Sequence, residues 1–401
     1  MLYVWGIISG SILFLLSYQQ WISRKKFDLL RDCPVPEATF RFPKVSLIVP
    51  ACNEADTIGS ALSSLLKMDY PNLELIVVND RSTDATSTVI REIQARDPRV
   101  NLVEVTTLPD GWLGKLHAVH CGVKAASGDW FLFSDADVHY EKNSLRRAMA
   151  YVMSKEVDFL TVVPAMRANT FLLRAVISHF LQSAMLAVDI TKVRNPNCID
   201  CAGGGAFNLI RRTAYERSRG FEWIKLDVID DTGIAMVVKQ AGAKCDALGG
   251  LGEIELEWYP TFAAYAKGLE KNSFGIFEYS LTGVIIYVII HALLFFGFSL
   301  APFLAHSLAL AIFDLAAVAV FIGTTYHLLK KVMPFSAWIA VIVPFMYLVN
   351  PLIALRAAIL FTWRGGIYWR GTFYSRAALI ANQKFKISEI LKTKFRQSNI
   401  K

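Results

Sequence analysis

Charged residues are scarce in this sequence of 401 residues: they make up 19% of it, against 54% hydrophobic residues. This balance excludes an ordinary soluble protein of the same length. The scarcity is uneven, because residues 1–22 and 281–362 are almost uncharged, whereas residues 40–260 have the composition of a globular domain. We therefore expect one globular domain with membrane segments on both sides.

The cysteines form few patterns that indicate a function. The six cysteines form no arrangement typical of a small secreted disulfide protein. Cys198 and Cys201 have Cys-x-x-Cys spacing, but no second pair accompanies them, which excludes a four-cysteine zinc site. Two small, partly buried thiols explain the pair better than metal binding or redox chemistry does.

The first apolar segment lacks the marks of a cleaved signal peptide. No basic residues come before residues 2–22, and no small-residue cleavage site follows them. The segment is long enough to span a bilayer, and Arg24, Lys25 and Lys26 come after it. The positive-inside rule then predicts an uncleaved transmembrane anchor at 1–22 and a cytoplasmic domain behind it.

The net charge of +8 belongs to the C-terminal tail. From Arg364 onward the chain has nine lysines and arginines and a single glutamate, which accounts for the whole surplus. A basic tail that follows membrane segments indicates contact with anionic lipid headgroups rather than with nucleic acid. Aromatic residues at 368–374 favour the same position, so we expect residues 363–401 to lie at a membrane interface.

Between residues 40 and 260, short apolar runs alternate with helical patterns. Buried strands are predicted at 44–50, 73–79, 100–105 and 130–133, and polar residues suited to helix starts follow several of them. Strands that alternate with helices predict an α/β domain with a doubly wound parallel sheet. Ligands bind at the carboxyl ends of the strands in such a sheet.

Acidic residues stand at these strand ends. Asp80 follows the second strand, and Asp135 and Asp137 follow the fourth with only Ala136 between them. Two carboxylates suit Mg²⁺ or Mn²⁺, which proteins hold with few carboxylates and with substrate phosphates. A solvated turn with two acidic caps is the alternative for this pair, and a helix cap is the favoured interpretation of Asp84.

Three further stretches combine chemistry with a structural explanation. Lys115 follows Gly114 at a helix start, where its charge and the free N–H groups could meet a diphosphate. A run of three glycines precedes a strand that ends at Arg211. An Asp230–Asp231 pair opens an apolar helix, where an N-cap is the purely structural alternative.

Four of these segments together resemble family 2 glycosyltransferases: PACNE, VVNDRSTD, GWLGKLHAVHCG and FSDADV, in this order between Pro50 and Val138. The resemblance implies a glycosyltransferase-A fold, a nucleotide-sugar donor (most simply a UDP-sugar) and a divalent metal, Mg²⁺ or Mn²⁺. It implies that the metal is held by Asp135 and Asp137. The residues that it places around the donor are Pro50, Asn53, Glu54, Asp80, Lys115 and Asp135.

The resemblance also implies an inverting transfer. Asp231, next to Asp230, would take the proton of the acceptor hydroxyl as general base. The glycine run and the strand after it would lie on the acceptor side; the residues concerned are Gly203, Gly204, Gly205 and Arg211. The sequence departs from many relatives between residues 257 and 275, which contain no Gln-x-x-Arg-Trp motif, and Lys267 or Lys271 is left to supply positive charge there.

The absent motif argues against a processive polysaccharide synthase. The Trp-Arg-Gly-x-x-Tyr segment that starts at Trp369, with GW-x-GK-x-x-A in the domain, resembles glycosyltransferases of carotenoid or hopanoid lipids, and ceramide glucosyltransferases share the plan. The sequence therefore predicts transfer of one sugar to a membrane lipid. A polysaccharide synthase and a non-catalytic sugar-nucleotide-binding membrane subunit remain alternatives, while a transporter is excluded by too few spans.

The membrane part is predicted as an interfacial linker at 261–280 and membrane helices at 281–362. The last apolar stretch, 335–361, is broken by Pro344 and by Asn350–Pro351, and it either spans the bilayer or re-enters it. Re-entry keeps the basic tail in the cytoplasm, as the positive-inside rule requires. Residues 170–190 predict a helix at the membrane face or in the domain core, with His179 as a satisfied polar group. The whole is expected in a cell inner membrane as a multi-pass protein.

Overall fold

The apolar runs of the globular domain form strands in a computed structural model, which describes residues 2–37, 39–198, 200–305, 307–334, 336 and 338–383. The prediction of a basic interfacial segment therefore lies partly outside the described residues, from 384 to 401. The strands in the described part are β1 (Val45–Ala51), β2 (Leu73–Asp80), β3 (Val100–Val105), β4 (Trp130–Phe133), β5 (Val138–Tyr140), β6 (Phe159–Val163), β7 (Ala165–Arg167), β8 (Asn208–Arg211), β9 (Cys245–Gly249), β10 (Ile254–Glu257), β11 (Gly366–Trp369) and β12 (Thr372–Ser375).

Seven strands make the central sheet, in the order β3-β2-β1-β4-β8-β6-β9. β1 to β4 are parallel, as predicted, whereas β8 runs antiparallel to both β4 and β6. β5, β10 and β7 form a second sheet, and β11 and β12 form a hairpin. The predicted α/β fold is confirmed, with one reversed strand that the sequence did not reveal.

Helices cover the sheet and continue into the apolar C-terminal part. They are α1 (Leu2–Lys26), α2 (Ala55–Leu66), α3 (Thr86–Gln94), α4 (Gly114–Ala125), α5 (Ser144–Lys155), α6 (Phe171–Ala187), α7 (Ile190–Arg194), α8 (Arg212–Arg217), α9 (Gly220–Trp223), α10 (Asp230–Gln240), α11 (Phe262–Ile276), α12 (Leu281–Ser299), α13 (Leu308–Val332), α14 (Trp338–Ile342) and α15 (Met346–Arg364). Every residue of β1 and β2 is buried, because helices pack on both faces of these strands.

Three helical segments in the described part of the chain are long and apolar enough to cross a membrane: α12, α13 and Trp338–Arg364. The last one joins α14 to α15 through a 3₁₀ turn at Val343–Phe345, and Pro351 lies inside α15. Within their most apolar windows, 56% of the residues of this segment are buried, against 17% in α12 and 28% in α13. The segment is therefore enclosed by the other helices to a greater extent than the two before it.

The predicted N-terminal anchor forms α1, which packs along α13 in the same direction. Gly6 lies beside Asp314, and the Thr325 hydroxyl donates a hydrogen bond to Gln20 further along both helices. The basic C-terminal ends of the two helices therefore come together, and the Lys331 ammonium donates to the backbone carbonyl of Phe27. Both ends lie next to the globular domain, because the chain after α1 pairs with β9.

α6 is enclosed by the other helices and is not an exposed amphipathic helix. It contacts α13, α14 and α15, and its His179 is fully buried. His179 Nδ1 lies 2.7 Å from the side-chain nitrogen of Asn350 in α15. His179 is thus a satisfied polar group, as expected from the sequence.

A buried carboxylate links the first two strands to the start of β4. The Glu74 side chain accepts hydrogen bonds from the Ser127 backbone N–H at 2.7 Å and hydroxyl at 2.6 Å, and from the Ser46 hydroxyl, and Lys44 lies 2.9 Å away. Burial alone would raise the pKa of Glu74, but these hydrogen bonds and the lysine outweigh burial and lower it from 4.5 to about 2.

Substitution Glu74→Gln should therefore destabilise the domain in a pH-dependent way. A carboxyl group with a lowered folded-state pKa stabilises the fold above its unfolded pKa, and that stabilisation is lost as the pH falls through the folded value. We expect the variant to lose on the order of 3 kcal/mol of unfolding free energy at pH 7. The difference from wild type should shrink between pH 4.5 and 2 in thermal unfolding of the detergent-purified protein. A constant difference over this range would contradict the assignment, and exposed Glu92→Gln is the control.

Candidate functional site

Lys115 lies at the centre of the predicted site. It stands in the first turn of α4, and its ammonium is 2.9 Å from an oxygen of Asp135 and 2.9 Å from an oxygen of Asp230. Asp135 comes directly after β4 and the loop residue Ser134, and Asp230 starts α10, so one cation joins two distant segments. Burial would lower the pKa of Lys115, but Asp135, Asp230 and Asp231 outweigh it and hold the pKa well above the ordinary value.

The glycine run lets these carboxylates approach the backbone. A Cβ atom on Gly205 would lie 2.6 Å from Asp135 Oδ2 and 3.1 Å from Asp231 Oδ2, and one on Gly203 would lie 2.0 Å from the Asp231 carbonyl oxygen. Any side chain at either position would displace an acidic residue. Burial and the neighbouring Asp230 raise the pKa of Asp231 above its ordinary value.

Two adjacent cavities open on this cluster and share Pro50, Lys115 and Asp135. The smaller, of about 310 Å³, reaches Asp231, Asp230, Gly205 and the residues Asn208, Phe221 and Ile234. The larger, of about 570 Å³, is lined by Glu54, Ala136, Asp137, Lys271, Trp369 and Arg370 in addition to the shared residues. Most of the predicted residues thus meet in one place, at the carboxyl edge of β1 and β4.

Asp137 and Asp135 both line the larger cavity, and this arrangement fits a divalent cation of the Mg²⁺ type. No group of three or more acidic, histidine or cysteine side chains suited to a metal occurs in the described residues. Two carboxylates beside a cavity that takes the remaining ligands from substrate phosphates and water match the coordination that Mg²⁺ uses. Asp135 and Asp137 would hold such an ion.

Two predicted donor residues have structural partners of their own. Asp80 is buried and makes two hydrogen bonds with Arg81, at 2.7 and 3.0 Å. Asn53 accepts from the Thr83 backbone N–H at 2.8 Å, which ties the loop after β1 to the loop after β2. Asp84 accepts a hydrogen bond from the Thr86 backbone N–H at the start of α3, as its interpretation as a cap of the following helix expects, and another from the Ala55 backbone N–H at the start of α2. Neither Asp80 nor Asn53 lines the two cavities described above.

Arg211 lies away from the site, and its prediction as an acceptor-side residue is corrected here. Because β8 is antiparallel to β4, Asn208 pairs with Phe133 at the edge where Asp135 follows, whereas Arg211 pairs with Trp130 at the opposite edge. Arg211 forms an ion pair with Asp158 at 3.0 Å. A parallel β8 would have placed the arginine at the site, but the reversed strand places the glycine end there.

Sequence reasoning missed two residues of the larger cavity, Trp369 and Arg370, and gave Lys271 only as one of two options. Trp369 and Arg370 lie far along the chain, after the last membrane helix, and were assigned to a membrane interface. The signal was the Trp-Arg-Gly-x-x-Tyr motif, which the resemblance singled out without indicating that it contacts the globular domain.

Comparison with known families agrees with this architecture. Residues 46–218 match the family model described as Glycosyl transferase family 2. This part of the chain is similar to the domain of family 2 glycosyltransferases. The match includes Asp80, Lys115, Asp135 and the glycine run, and it ends before Asp231.

Relatives share this family 2 domain rather than the whole chain. The probable glycosyltransferase YdaM of Bacillus subtilis is 34% identical over 116 residues, which cover 28% of this chain and 27% of that protein. The 4,4′-diaponeurosporenoate glycosyltransferase of Staphylococcus aureus is 35% identical over 128 residues, 31% of this chain and 32% of that protein. The match thus spans about a third of these relatives' length.

A solved structure extends the likeness in fold to most of the chain. The mannosyltransferase PcManGT from Pyrobaculum calidifontis, in complex with GDP-Man and Mn²⁺, superposes with a TM-score of 0.54 over 91% of this chain and 99% of that chain, at 19% identity. At this identity the likeness concerns the fold alone, and it supports the predicted glycosyltransferase-A fold.

Replacing the central lysine should expose the repulsion among the carboxylates. In Lys115→Met, the charges of Asp135, Asp230 and Asp231 lose their cation, and breaking a buried pair in this way costs about 3 kcal/mol. We expect the loss of thermal stability to be larger at pH 8 than at pH 5, because protonation of Asp231, whose pKa is raised by burial and by Asp230, relieves part of the repulsion. Lys244→Met, at an exposed ion pair with Glu156, should change little. Equal effects of both substitutions would contradict this account.

Proposed function

We propose that the protein is a membrane-anchored glycosyltransferase that moves one sugar from a nucleotide sugar to a lipid acceptor. The observation that carries the proposal is the cluster of Asp135, Asp137, Asp231 and Lys115 at one cavity edge of a family 2 domain that continues into apolar helices. In this cluster, Lys115 would bind the diphosphate, Asp135 and Asp137 would hold the metal, and Asp231 would accept the proton of the acceptor hydroxyl.

The donor would bind in the larger cavity, with its diphosphate toward Lys115. Pro50, near the end of β1, and Glu54, in the loop after it, line the same cavity. Asp135 and Asp137 would hold Mg²⁺ or Mn²⁺, whose charge stabilises a leaving diphosphate. A UDP-sugar is our expected donor.

Asp231 would act as the general base. It lines the smaller cavity with Gly205, whereas Asp137 lines the larger one, so an acceptor hydroxyl in the smaller cavity would meet the base beside a donor held in the larger cavity. A carboxylate with a raised pKa can accept a proton effectively near neutral pH. Transfer with inversion at the anomeric carbon follows from this single displacement.

A lipid acceptor is supported by the position of the site next to the membrane helices. α11, which carries Lys271 of the larger cavity, packs against α15 of the third apolar segment. The Staphylococcus aureus relative is named for transfer to a carotenoid acid, diaponeurosporenoate. We therefore propose an acceptor of carotenoid, hopanoid or sphingolipid type that reaches the cavity from the bilayer.

The contacts also support a topology in which the segment Trp338–Arg364 re-enters the membrane. Lys331, before it, contacts Phe27 next to the globular domain, and the hairpin after it contacts the same domain through Tyr374 and Gly114. Both flanks thus lie on the domain side, which the positive-inside rule assigns to the cytoplasm. The inner membrane of a cell is the expected location.

Impermeant maleimide labelling of single cysteines tests this topology in a background without the six native cysteines. Ser375→Cys on the hairpin should react in inverted vesicles only. Ser307→Cys, between α12 and α13, should react in right-side-out vesicles only. Labelling of both from the same side would contradict the proposed arrangement.

Sugar transfer itself should depend on Asp231. We expect membranes that contain the protein to transfer radiolabelled sugar from one of a panel of UDP- and GDP-sugars into a discrete lipid-soluble product with Mn²⁺ or Mg²⁺. Asp231→Asn should reduce the rate by 10²-fold or more, because loss of a general base costs roughly 10²–10⁴-fold. Exposed Asp32→Asn is the control.

The products also separate the alternatives. Sugar transfer that persists in Asp231→Asn would contradict the assignment of Asp231 as the general base. Label in insoluble polymer would favour a processive polysaccharide synthase, and nucleotide-sugar binding without any product would favour a non-catalytic membrane subunit.

A further inference from the structure

The hairpin of β11 and β12 follows the last membrane helix, yet it packs against the catalytic domain. The Gly114 backbone N–H, at the start of α4, donates to the Tyr374 hydroxyl at 3.2 Å. The Arg370 guanidinium lies 3.2 Å from a carboxylate oxygen of Glu54, in the loop after β1. The hairpin therefore bridges two loops at the carboxyl edge of the sheet, more than 250 residues away in sequence.

This position makes the hairpin a wall of the larger cavity. Trp369 and Arg370 line it opposite Lys115, Asp135 and Asp137. The Trp369 ring also supports a second cation, because the Lys271 ammonium lies 4.0 Å from the ring centroid. Arg370 and Lys271 together bring two positive charges to a cavity that already holds Lys115.

The turn of the hairpin is built at a cost. Arg370 and Gly371 are the two residues between the strands, with φ of 46° and 80°, and positive φ at both is the requirement of a type I′ turn. Asparagine or glycine is the usual first residue of such a turn, because a longer side chain in the left-handed region is strained. Local backbone preference therefore does not explain an arginine here.

The ion pair with Glu54 does not explain it either. The Arg370 side chain is 43% exposed and that of Glu54 29% exposed. Solvent screens such a pair, which then contributes little to stability. An arginine that is strained and only weakly stabilising, at the wall of a cavity with two other cations, is better explained by a ligand.

We propose that Arg370, supported by Lys271 on Trp369, binds the diphosphate of the nucleotide-sugar donor, and that the hairpin completes the donor cavity from the far end of the chain. The inference rests on the proposed function. A guanidinium group donates two parallel hydrogen bonds to phosphate oxygens, which a lysine cannot reproduce. Glu54 holds Arg370 over the cavity before the donor arrives. Arg370 and Lys271 thus supply positive charge at the cavity, although residues 257–275 contain no Gln-x-x-Arg-Trp motif.

Substitution Arg370→Asn separates binding from stability. Asparagine is the preferred first residue of a type I′ turn, so the variant should unfold at the same temperature as wild type or higher. Its affinity for UDP or GDP should nevertheless fall about tenfold, whereas its affinity for UMP or GMP should change less than twofold. Binding is measured by calorimetry on the full-length protein in detergent, with and without Mn²⁺.

Two further variants define the result. Arg370→Lys keeps the positive charge but cannot donate two parallel hydrogen bonds. Its diphosphate affinity should lie between that of Arg370→Asn and that of wild type. Arg376→Asn, at an exposed position just after the hairpin, is the matched control and should bind all four nucleotides as wild type does. Equal losses for diphosphates and monophosphates, or no loss in Arg370→Asn, would overturn the inference.

These outcomes are distinct from those that test the proposed function. Unchanged diphosphate affinity in Arg370→Asn, with transfer to lipid intact in wild type, would overturn only the role of the hairpin. Diphosphate binding that depends on Arg370, without transfer to any lipid, would support the hairpin's role and overturn the proposed transferase instead.

Discussion

The balance of charge around Lys115 is the constraint on which the site depends. One ammonium group compensates Asp135 from the end of β4 and Asp230 from the start of α10, with Asp231 close by. Without that cation, these carboxylates would repel one another with no opposite charge between them. The same requirement fixes α4 against the sheet edge, since its first turn carries the lysine. The segment after β4 and the start of α10, which carries the proposed base, are therefore coupled by charge as well as by packing.

The reversed strand β8 serves this arrangement. It enters the sheet beside β4 from the site edge, so the glycine run that precedes it lies next to Asp135 and Asp231. The absence of side chains at Gly203 and Gly205 leaves room for the start of α10 against that loop. Because β8 is reversed, the glycine run before it lies at the proposed reaction centre, and Arg211 at its other end does not.

Local patterns predicted much of this. The first four strands, the acidic residues at the ends of β2 and β4, Lys115 at the start of α4 and the Asp230–Asp231 pair could be read from apolar runs and the polar residues after them. The direction of β8 could not, because its sequence has the same apolar pattern in either direction, and Arg211 was misplaced for that reason. Trp369 and Arg370 were missed as cavity residues because Trp369 contacts Lys271 and Arg370 contacts Glu54, both far earlier in the chain, and no periodicity reports such pairing. Helix length likewise did not reveal that residues on both sides of Trp338–Arg364 contact the globular domain or the segment next to it.

The hairpin has a further consequence for how the molecule can be divided. The globular domain predicted at 40–260 contains the whole central sheet and the carboxylates of the site, yet it stops before Lys271, Trp369 and Arg370. A shortened chain with those limits would have a donor cavity open on one side, with Glu54 deprived of its arginine. The apolar helices between the two parts therefore act as a spacer, after which the hairpin returns to the loop behind β1. The stretch between Lys271 and Trp369 thus consists mainly of helices that are long and apolar enough to cross a membrane.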